Sequence, residues 1–134
     1  MRDGMTEKKN RTPSSVENAL PIWERFRPSL VVVEGSHAGA TLELNPARAL
    51  IGRGPGVDAE VPDPAMSRQH FVIEAAEDRW VLRDLQSTNG VMVNGKRVDS
   101  VSLKHGDRVR AGDHEFQFLL EKVEREPRTF RIDE

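Results

Sequence analysis

Turn signals recur about every ten residues through most of this chain, and they leave room only for short secondary-structure elements. They include Gly54-Pro55-Gly56, Asn89-Gly90 and Asn94-Gly95, which supply the backbone conformations that tight turns need. Between the turns lie short runs rich in β-branched and aromatic residues, for example residues 30–33 and 70–74. No apolar repeat of helical period runs through this region. The pattern therefore predicts an all-β protein, a two-sheet β-sandwich of short strands.

The last predicted strand shows a two-residue period. Phe116, Phe118 and Leu120 occupy every second position, which indicates a strand with one buried face. Residues 119–126 are rich in helix formers, so we expect the chain to leave the sheet there as a short helix.

Polarity, proline content and strand periodicity divide the chain into three parts. Residues 1–28 are polar, interrupted by proline and without strand periodicity, and we expect a mostly disordered tail. Residues 29–122 carry the strand pattern and form the single domain, whereas residues 123–134 resemble a linker or a truncated end. Some apolar residues of the tail can form a turn that docks on the domain, namely Val16, Leu20, Ile22, Trp23 and Phe26.

Composition excludes several classes of function. A formal net charge of −2 argues against a nucleic-acid partner, which a basic surface would attract. The chain has no cysteine, so it has neither a disulfide framework nor a thiolate metal site, and it suits a reducing, cytoplasmic compartment. No apolar run approaches the roughly 18 residues of a membrane span, and no signal peptide is evident. We expect a cytoplasmic protein with no membrane partner.

Three predicted loops carry the residues that can perform chemistry. They hold Arg53, then Ser67 and Arg68, then Thr88 and Asn89, with hardly any carboxylate among them. Guanidinium forks and hydroxyl donors suit a phosphate monoester, which carries about −1.5 to −2 charge at neutral pH. The asparagine amide both donates and accepts, so it suits the main chain of an extended peptide. The loops therefore indicate a phosphopeptide rather than free phosphate.

The same loops match a known pattern. Gly52-Arg53, Ser67-Arg68-x-His70, Ser87-Thr88-Asn89-Gly90 and Asn94-Gly95 resemble, in order and spacing, the motif set of the forkhead-associated (FHA) family. The resemblance covers about residues 29–120. It implies a β-sandwich of about eleven strands (FHA/SMAD-like) that binds phosphothreonine peptides without catalysis or cofactor.

Carried over position by position, the resemblance assigns a role to each matched residue. Arg53, Ser67 and Arg68 would hold the phosphate, Thr88 would assist, and Asn89 would hold the peptide main chain. The remaining matches would shape the loops instead of touching the ligand: Gly52, His70, Gly90 and Asn94.

One departure concerns selectivity. Ala65 and Met66 precede Ser67, where some members of the family carry a charged residue that reads the third residue after phosphothreonine. A preference for an acidic residue at that ligand position is therefore not expected.

The sequence supports a catalytic function less well than a binding function. The glycines of residues 52–56 are not followed by a helix pattern, as a dinucleotide-binding loop would require. Ser67 and His70 lie on an extended segment without a third orienting residue, so a nucleophile–base pair is not supported. The histidines lack metal-ligand spacing. We therefore predict no catalytic residue and no metal. Taken alone, the asparagine–glycine pairs are equally typical of plain hairpin turns.

Three readings of the function stay open from sequence. The chain can read phosphothreonine written on a partner protein by an upstream Ser/Thr kinase. It can capture its own tail after phosphorylation at Thr12, which follows Arg11, or at Thr6. It can also be the regulatory input domain of a larger signalling protein, for example a diguanylate cyclase. The alternative is a protein–protein interaction domain that does not depend on phosphate.

Overall fold

The computed structural model describes residues 20–124, which contain one short helix and eleven strands. The strand content confirms the predicted all-β class. No helix within these residues is long and apolar enough to cross a membrane. The elements are α1 (Ile22–Arg25), β1 (Phe26–Glu34), β2 (Thr41–Glu43), β3 (Arg48–Gly52), β4 (Ala59–Glu60), β5 (Phe71–Ala76), β6 (Arg79–Asp84), β7 (Val91–Val93), β8 (Lys96–Val98), β9 (Ser100–Leu103), β10 (Arg108–Ala111) and β11 (His114–Lys122).

The strands form two sheets that face each other, as predicted. The six-stranded sheet has the order β2-β1-β11-β10-β7-β8, and the five-stranded sheet has the order β9-β6-β5-β3-β4. All neighbours are antiparallel except β3 and β4, which run parallel. A two-residue turn at Asn94 and Gly95, both with positive φ, joins β7 to β8, as this pair predicts.

Alternating side chains of both sheets build one core. Phe116 and Phe118 of β11 are fully buried, which confirms the two-residue period of the last strand. Phe118 meets Trp80 of β6 across the sandwich, with ring centroids 6.3 Å apart. Large aromatic and branched side chains are buried on facing strands, so packing alone supplies the main stabilisation of this cysteine-free chain.

The domain begins ahead of the predicted strand pattern. The side chain of Ile22 in α1 is buried in the core, and β1 starts at Phe26. Pro28 lies inside β1, and its carbonyl oxygen accepts the Leu44 N–H just beyond the end of β2. Because the nitrogen and the carbonyl of a strand residue point to the same side, the missing N–H of Pro28 also faces a position outside β2. The ladder therefore loses no hydrogen bond, and proline does not end the strand.

The expected helix over residues 119–126 is wrong in the stretch that the structure describes. β11 continues to Lys122, and its last residues pair with the first residues of β1, from Phe26 to Ser29. This pairing overrides the local helix propensity, because hydrogen bonds to a neighbouring strand outweigh a weak intrinsic preference.

The strand register places the loops and the chain ends at opposite ends of the sandwich. Phe26 pairs with Lys122 at one end, whereas Val91 pairs with Ala111, beside His114, at the other. The nine residues of β11 separate the two ends by about 27 Å. The described chain therefore enters and leaves at the end remote from the loops before β5 and β7.

Candidate functional site

Three loops meet at one end of the sandwich and enclose a shallow depression of about 410 Å³. It is lined by Pro64, Ala65 and Met66 together with all the residues expected to contact phosphothreonine: Arg53, Ser67, Arg68, Thr88 and Asn89. No carboxylate is among the lining residues. The structure thus brings together, from three separate loops, the side chains that the sequence singled out.

Arg53 is held by its own main chain and by one side-chain nitrogen. Its main-chain N–H donates to the carbonyl oxygen of Ser67 at 3.0 Å, and its Nε donates to the carbonyl oxygen of Met66 at 2.9 Å. The two Nη groups have no partner among residues 20–124, and the side chain is exposed. A guanidinium fixed through Nε presents both Nη groups to an anion.

Ser67 joins the second loop to the third. Its hydroxyl oxygen accepts a hydrogen bond from the main-chain N–H of Thr88 at 3.0 Å. A hydroxyl that already accepts one bond still has its proton to donate. Next to it, the Arg68 side chain is exposed and forms no ion pair with any described residue. Ser67 and Arg68 therefore both offer donors to the depression.

Asn89 is oriented by a single hydrogen bond. Its Nδ2 donates to the carbonyl oxygen of Ala65 at 2.7 Å, which leaves Oδ1 and the second Nδ2 hydrogen for a ligand. Thr88 and Asn89 are both exposed. An amide with one donor and one acceptor to spare can bond the main chain of an extended peptide.

His70 lies beneath the depression and does not line it. The ring is fully buried; Nδ1 accepts a hydrogen bond from the Ser67 N–H at 2.9 Å, and Nε2 donates to the carbonyl oxygen of Gly90 at 2.8 Å. Because one partner can only donate and the other can only accept, the neutral Nε2–H tautomer is the one that fits. The ring joins the second and third loops from below.

Two glycines permit the close approach of the loops. A Cβ atom at Gly52 would lie 2.0 Å from the carbonyl oxygen of Arg68, so β3 can run against the second loop only without a side chain there. Gly90 has φ +80°, and a Cβ there would lie 2.7 Å from Cζ of Arg97. Both motif glycines are required by the geometry of the site.

Asn94 lies away from the depression, in the turn between β7 and β8. Its Oδ1 accepts the Arg108 N–H at 2.9 Å, and its Nδ2 donates to Asp107 at 3.0 Å. The side chain therefore connects this turn to the loop before β10.

Sequence reasoning missed Asp63. This residue is 2% exposed, and its carboxylate accepts three hydrogen bonds: from Ala65 N–H at 2.8 Å, from Asp113 N–H at 2.7 Å and from His114 Nδ1 at 2.8 Å. Burial raises the pKa of Asp63, but the hydrogen bonds from His114, Asp113 and Ala65 outweigh it and hold the pKa below its ordinary value. The available signal was an aspartate followed two residues later by a chain reversal, which favours a side-chain bond to the main chain.

The electrostatics of the site differ from those of the sheet faces. Arg48 and Arg83 both pair with Glu74, and Arg108 and Arg110 pair with glutamates of the other sheet. Arg53 and Arg68, at the depression, have no such partner within the described range. The depression is therefore a cationic site available to an anion.

No cluster of histidine and acidic residues that could hold a metal ion occurs among residues 20–124. The predicted phosphosites Thr6 and Thr12 lie outside these residues.

Comparison with known proteins gives a consistent result. The sequence profile of the FHA domain matches residues 49–112. Glycogen accumulation regulator GarA of Mycobacterium tuberculosis is 32% identical over 120 residues, which are 87% of this chain and 74% of GarA. The human proliferation marker protein Ki-67 is 36% identical over 105 residues, 77% of this chain but 3% of Ki-67.

A solved structure from work on phosphothreonine-dependent FHA domain interactions has a TM-score of 0.65 and 33% identity. The match covers 72% of this chain and 99% of that one. The similarity therefore extends over nearly all of a solved domain and over most of one curated relative, but over a small part of another.

Proposed function

Because this chain belongs to the forkhead-associated domain family, we propose that it reads phosphothreonine in a partner protein within a Ser/Thr kinase pathway. The observation that carries the proposal is a depression lined by no carboxylate, in which the Ser67 hydroxyl meets two guanidiniums that form no ion pair among residues 20–124. A phosphothreonine side chain carries about −1.5 to −2 charge and three acceptor oxygens, which match these donors. The role is binding, and an upstream kinase writes the mark.

Each residue of the depression has a defined task in this proposal. The Nη groups of Arg53 donate to the phosphate oxygens, since its Nε is already used by Met66. The Ser67 proton and the Arg68 guanidinium donate from the opposite loop, and Thr88 adds its hydroxyl. Charge-assisted bonds of this kind contribute about 1.5–3 kcal/mol each, so a few of them suffice for selective binding.

The peptide main chain is held beside the phosphate by Asn89. Its remaining donor and acceptor face an extended strand, while Pro64 and Ala65 form an uncharged wall of the depression. Because Ala65 and Met66 carry no charge, we propose that the domain does not select an acidic residue at the third position after phosphothreonine. Selectivity then rests mainly on the phosphate and the main chain.

Capture of the chain's own tail is a second form of the same function, and its reach can be estimated. The tail joins the domain at the buried Ile22, about 27 Å from the depression along the strands. Ten residue steps from Thr12 to Ile22 span at most about 33–36 Å, whereas sixteen steps from Thr6 span about 53–58 Å. Both spans exceed this distance, so either threonine can reach the depression of its own molecule, and we propose Thr12 first, because Arg11 precedes it.

A role as the regulatory domain of a larger cytoplasmic signalling protein, for example a diguanylate cyclase, is compatible with these observations. Relatives such as Ki-67 carry the matched region as a small part of a long chain. The reading frame downstream of Glu134 tests this part of the proposal directly.

Titration with matched peptides tests the function. The purified chain is titrated at fixed salt with a degenerate phosphothreonine library, its phosphoserine counterpart and the unphosphorylated library. Saturable binding restricted to phosphothreonine supports the proposal. Equal binding of the phosphorylated and unphosphorylated libraries would instead indicate an interaction domain that does not depend on phosphate.

A second experiment separates tail capture within one molecule from capture between two molecules. The molecular mass in solution is compared for kinase-treated wild type and for the variants Thr6→Ala and Thr12→Ala.

A further inference from the structure

We propose that Asp63 is a positioning residue for ligand binding: its buried carboxylate fixes the turn that carries the two carbonyl groups by which Arg53 and Asn89 are oriented. The proposal rests on the proposed function, since it names what prepares that site for a phosphopeptide. Asp63 does not line the depression and would not touch the ligand. It acts through the segment 64–66.

The first step is the fixing of this segment by Asp63. Oδ1 accepts the Ala65 N–H at 2.8 Å, and the main-chain oxygen of Asp63 accepts the Met66 N–H at 2.9 Å. The side chain and the main chain of one residue thus close a tight turn over the next three residues. This turn holds the Ala65 carbonyl directly, because that carbonyl shares a peptide plane with the Met66 N–H. It also places Met66, whose own carbonyl shares a plane with the Ser67 N–H that His70 Nδ1 accepts at 2.9 Å.

The second step is the transfer of this order to the binding side chains. The Ala65 carbonyl accepts Nδ2 of Asn89 at 2.7 Å, and the Met66 carbonyl accepts Nε of Arg53 at 2.9 Å. These are the only hydrogen bonds that the two side chains make among residues 20–124. Their orientation therefore depends on the segment that Asp63 fixes.

The third step is the anchoring of Asp63 itself. Oδ2 accepts both the Asp113 N–H at 2.7 Å and His114 Nδ1 at 2.8 Å, at the hairpin between β10 and β11. A Cβ atom at Gly112 would lie 2.6 Å from Oδ2, so the hairpin can approach the carboxylate only with glycine there. The carboxylate thus connects the rigid six-stranded sheet to the binding loop.

A carboxylate is required because it is an acceptor only. Three donors converge on the two oxygens, and an asparagine of the same shape would place an amide N–H group against one of them. The conservative change Asp63→Asn therefore alters the hydrogen bonding while it preserves volume. Packing of the buried loop is changed as little as a substitution allows.

The experiment compares Asp63→Asn with a control of matched stability. Leu44→Ala removes buried side-chain volume near Pro28, at the end of the sandwich remote from the depression. At a temperature where both variants are folded by circular dichroism, we expect Asp63→Asn to lose about tenfold or more in phosphopeptide affinity. Leu44→Ala is expected to bind within about twofold of wild type, because loss of stability alone does not reorient the site.

A second measurement does not need a ligand. In the NMR spectrum of the free protein, the Arg53 Nε–H and the Asn89 side-chain amide report their hydrogen bonds to Met66 and Ala65. We expect Asp63→Asn to shift both signals and speed their exchange with solvent, with Leu44→Ala leaving them in place. Unchanged signals, or equal losses of affinity in both variants, would overturn the positioning role. If wild type bound no phosphothreonine peptide, the proposed function would fail, and the NMR signals would still decide the role of Asp63.

Discussion

The hydroxyl oxygen of Ser67 accepts a hydrogen bond from the main-chain N–H of Thr88 at 3.0 Å and joins two loops that are 21 residues apart in sequence. One small side chain therefore holds the site together and keeps a proton to offer to a ligand. The loops on either side of the depression are coupled through this bond and, from below, through the ring of His70.

Substitution of Ser67 tests this dual role. We expect Ser67→Ala to weaken phosphopeptide binding by about tenfold or more, because both the phosphate donor and the loop connection are lost. Ser67→Thr retains the hydroxyl and is expected to keep most of the affinity. Isothermal titration calorimetry on the same peptide measures both. Equal affinity of wild type and Ser67→Ala would remove Ser67 from the site.

Arg53 is expected to contribute to phosphopeptide affinity mainly through the geometry of its guanidinium. Arg53→Ala should reduce affinity by more than about tenfold, and Arg53→Lys should recover only part of the loss, since an ammonium cannot bond Met66 and the phosphate in the same fork. Arg79→Ala is the matched control: this arginine is exposed at the start of β6, at the other end of the sandwich. A similar loss in both variants would point to net charge instead of a defined contact.

Binding should depend on pH through the ligand. The second pKa of a phosphate monoester is about 6, so the dianion is present above this value and is lost as pH falls below it. We expect affinity to be constant above about pH 7 and to fall steadily toward pH 5. Fluorescence anisotropy across this range measures the profile, with circular dichroism to show that the fold persists. A flat profile would contradict recognition of the dianion.

Folding stability should depend on pH through Asp63. Its pKa is lowered from the ordinary value of 3.8, so the ionised carboxylate stabilises the folded state above that value. This contribution is lost as pH falls through the folded-state pKa, where the native carboxylate gains a proton. The difference in unfolding free energy between wild type and Asp63→Asn, measured in urea, should therefore be largest near neutral pH and shrink below about pH 3.8. A difference that does not change with pH would contradict the assignment.

The close contact at Gly52 gives a stability test. Gly52→Ala would place Cβ against the Arg68 carbonyl at 2.0 Å, and main-chain atoms cannot move aside cheaply. We expect a large drop in Tm and loss of binding, because β3 and the second loop must separate. Gly54→Ala meets the Arg68 side chain at 3.0 Å and is expected to cost less. Similar Tm values for the two variants would argue against the close approach.

Much of this architecture was accessible from local sequence patterns. The alternation at Phe116 and Phe118 predicted a strand with one buried face, and the turn residues predicted the sandwich. The grouping of Arg53 with Ser67 followed from residue chemistry and the FHA resemblance, because neither signal depends on knowing which loops meet.

Other features depend on partners that are distant in sequence. Asp63 contacts His114 across 51 positions, and no local pattern reports such a pairing. The end of β11 is likewise decided by its pairing with β1, since residues 119–122 favour a helix when considered alone. Ile22 was expected in a turn that docks on the domain, but its exact place in the core is set by the sandwich and not by its neighbours Pro21 and Trp23.

The separation of the loops from the chain ends has a consequence for how such a domain works when it is joined to other protein. The points at which segments attach, before Ile22 and after Lys122, lie about one strand length from a docked ligand, so only a segment long enough to span that distance, such as a captured tail, can reach it. Occupancy would then be communicated by co-localisation: the captured partner is confined within the radius of the tether, and its local concentration rises around whatever the tether carries.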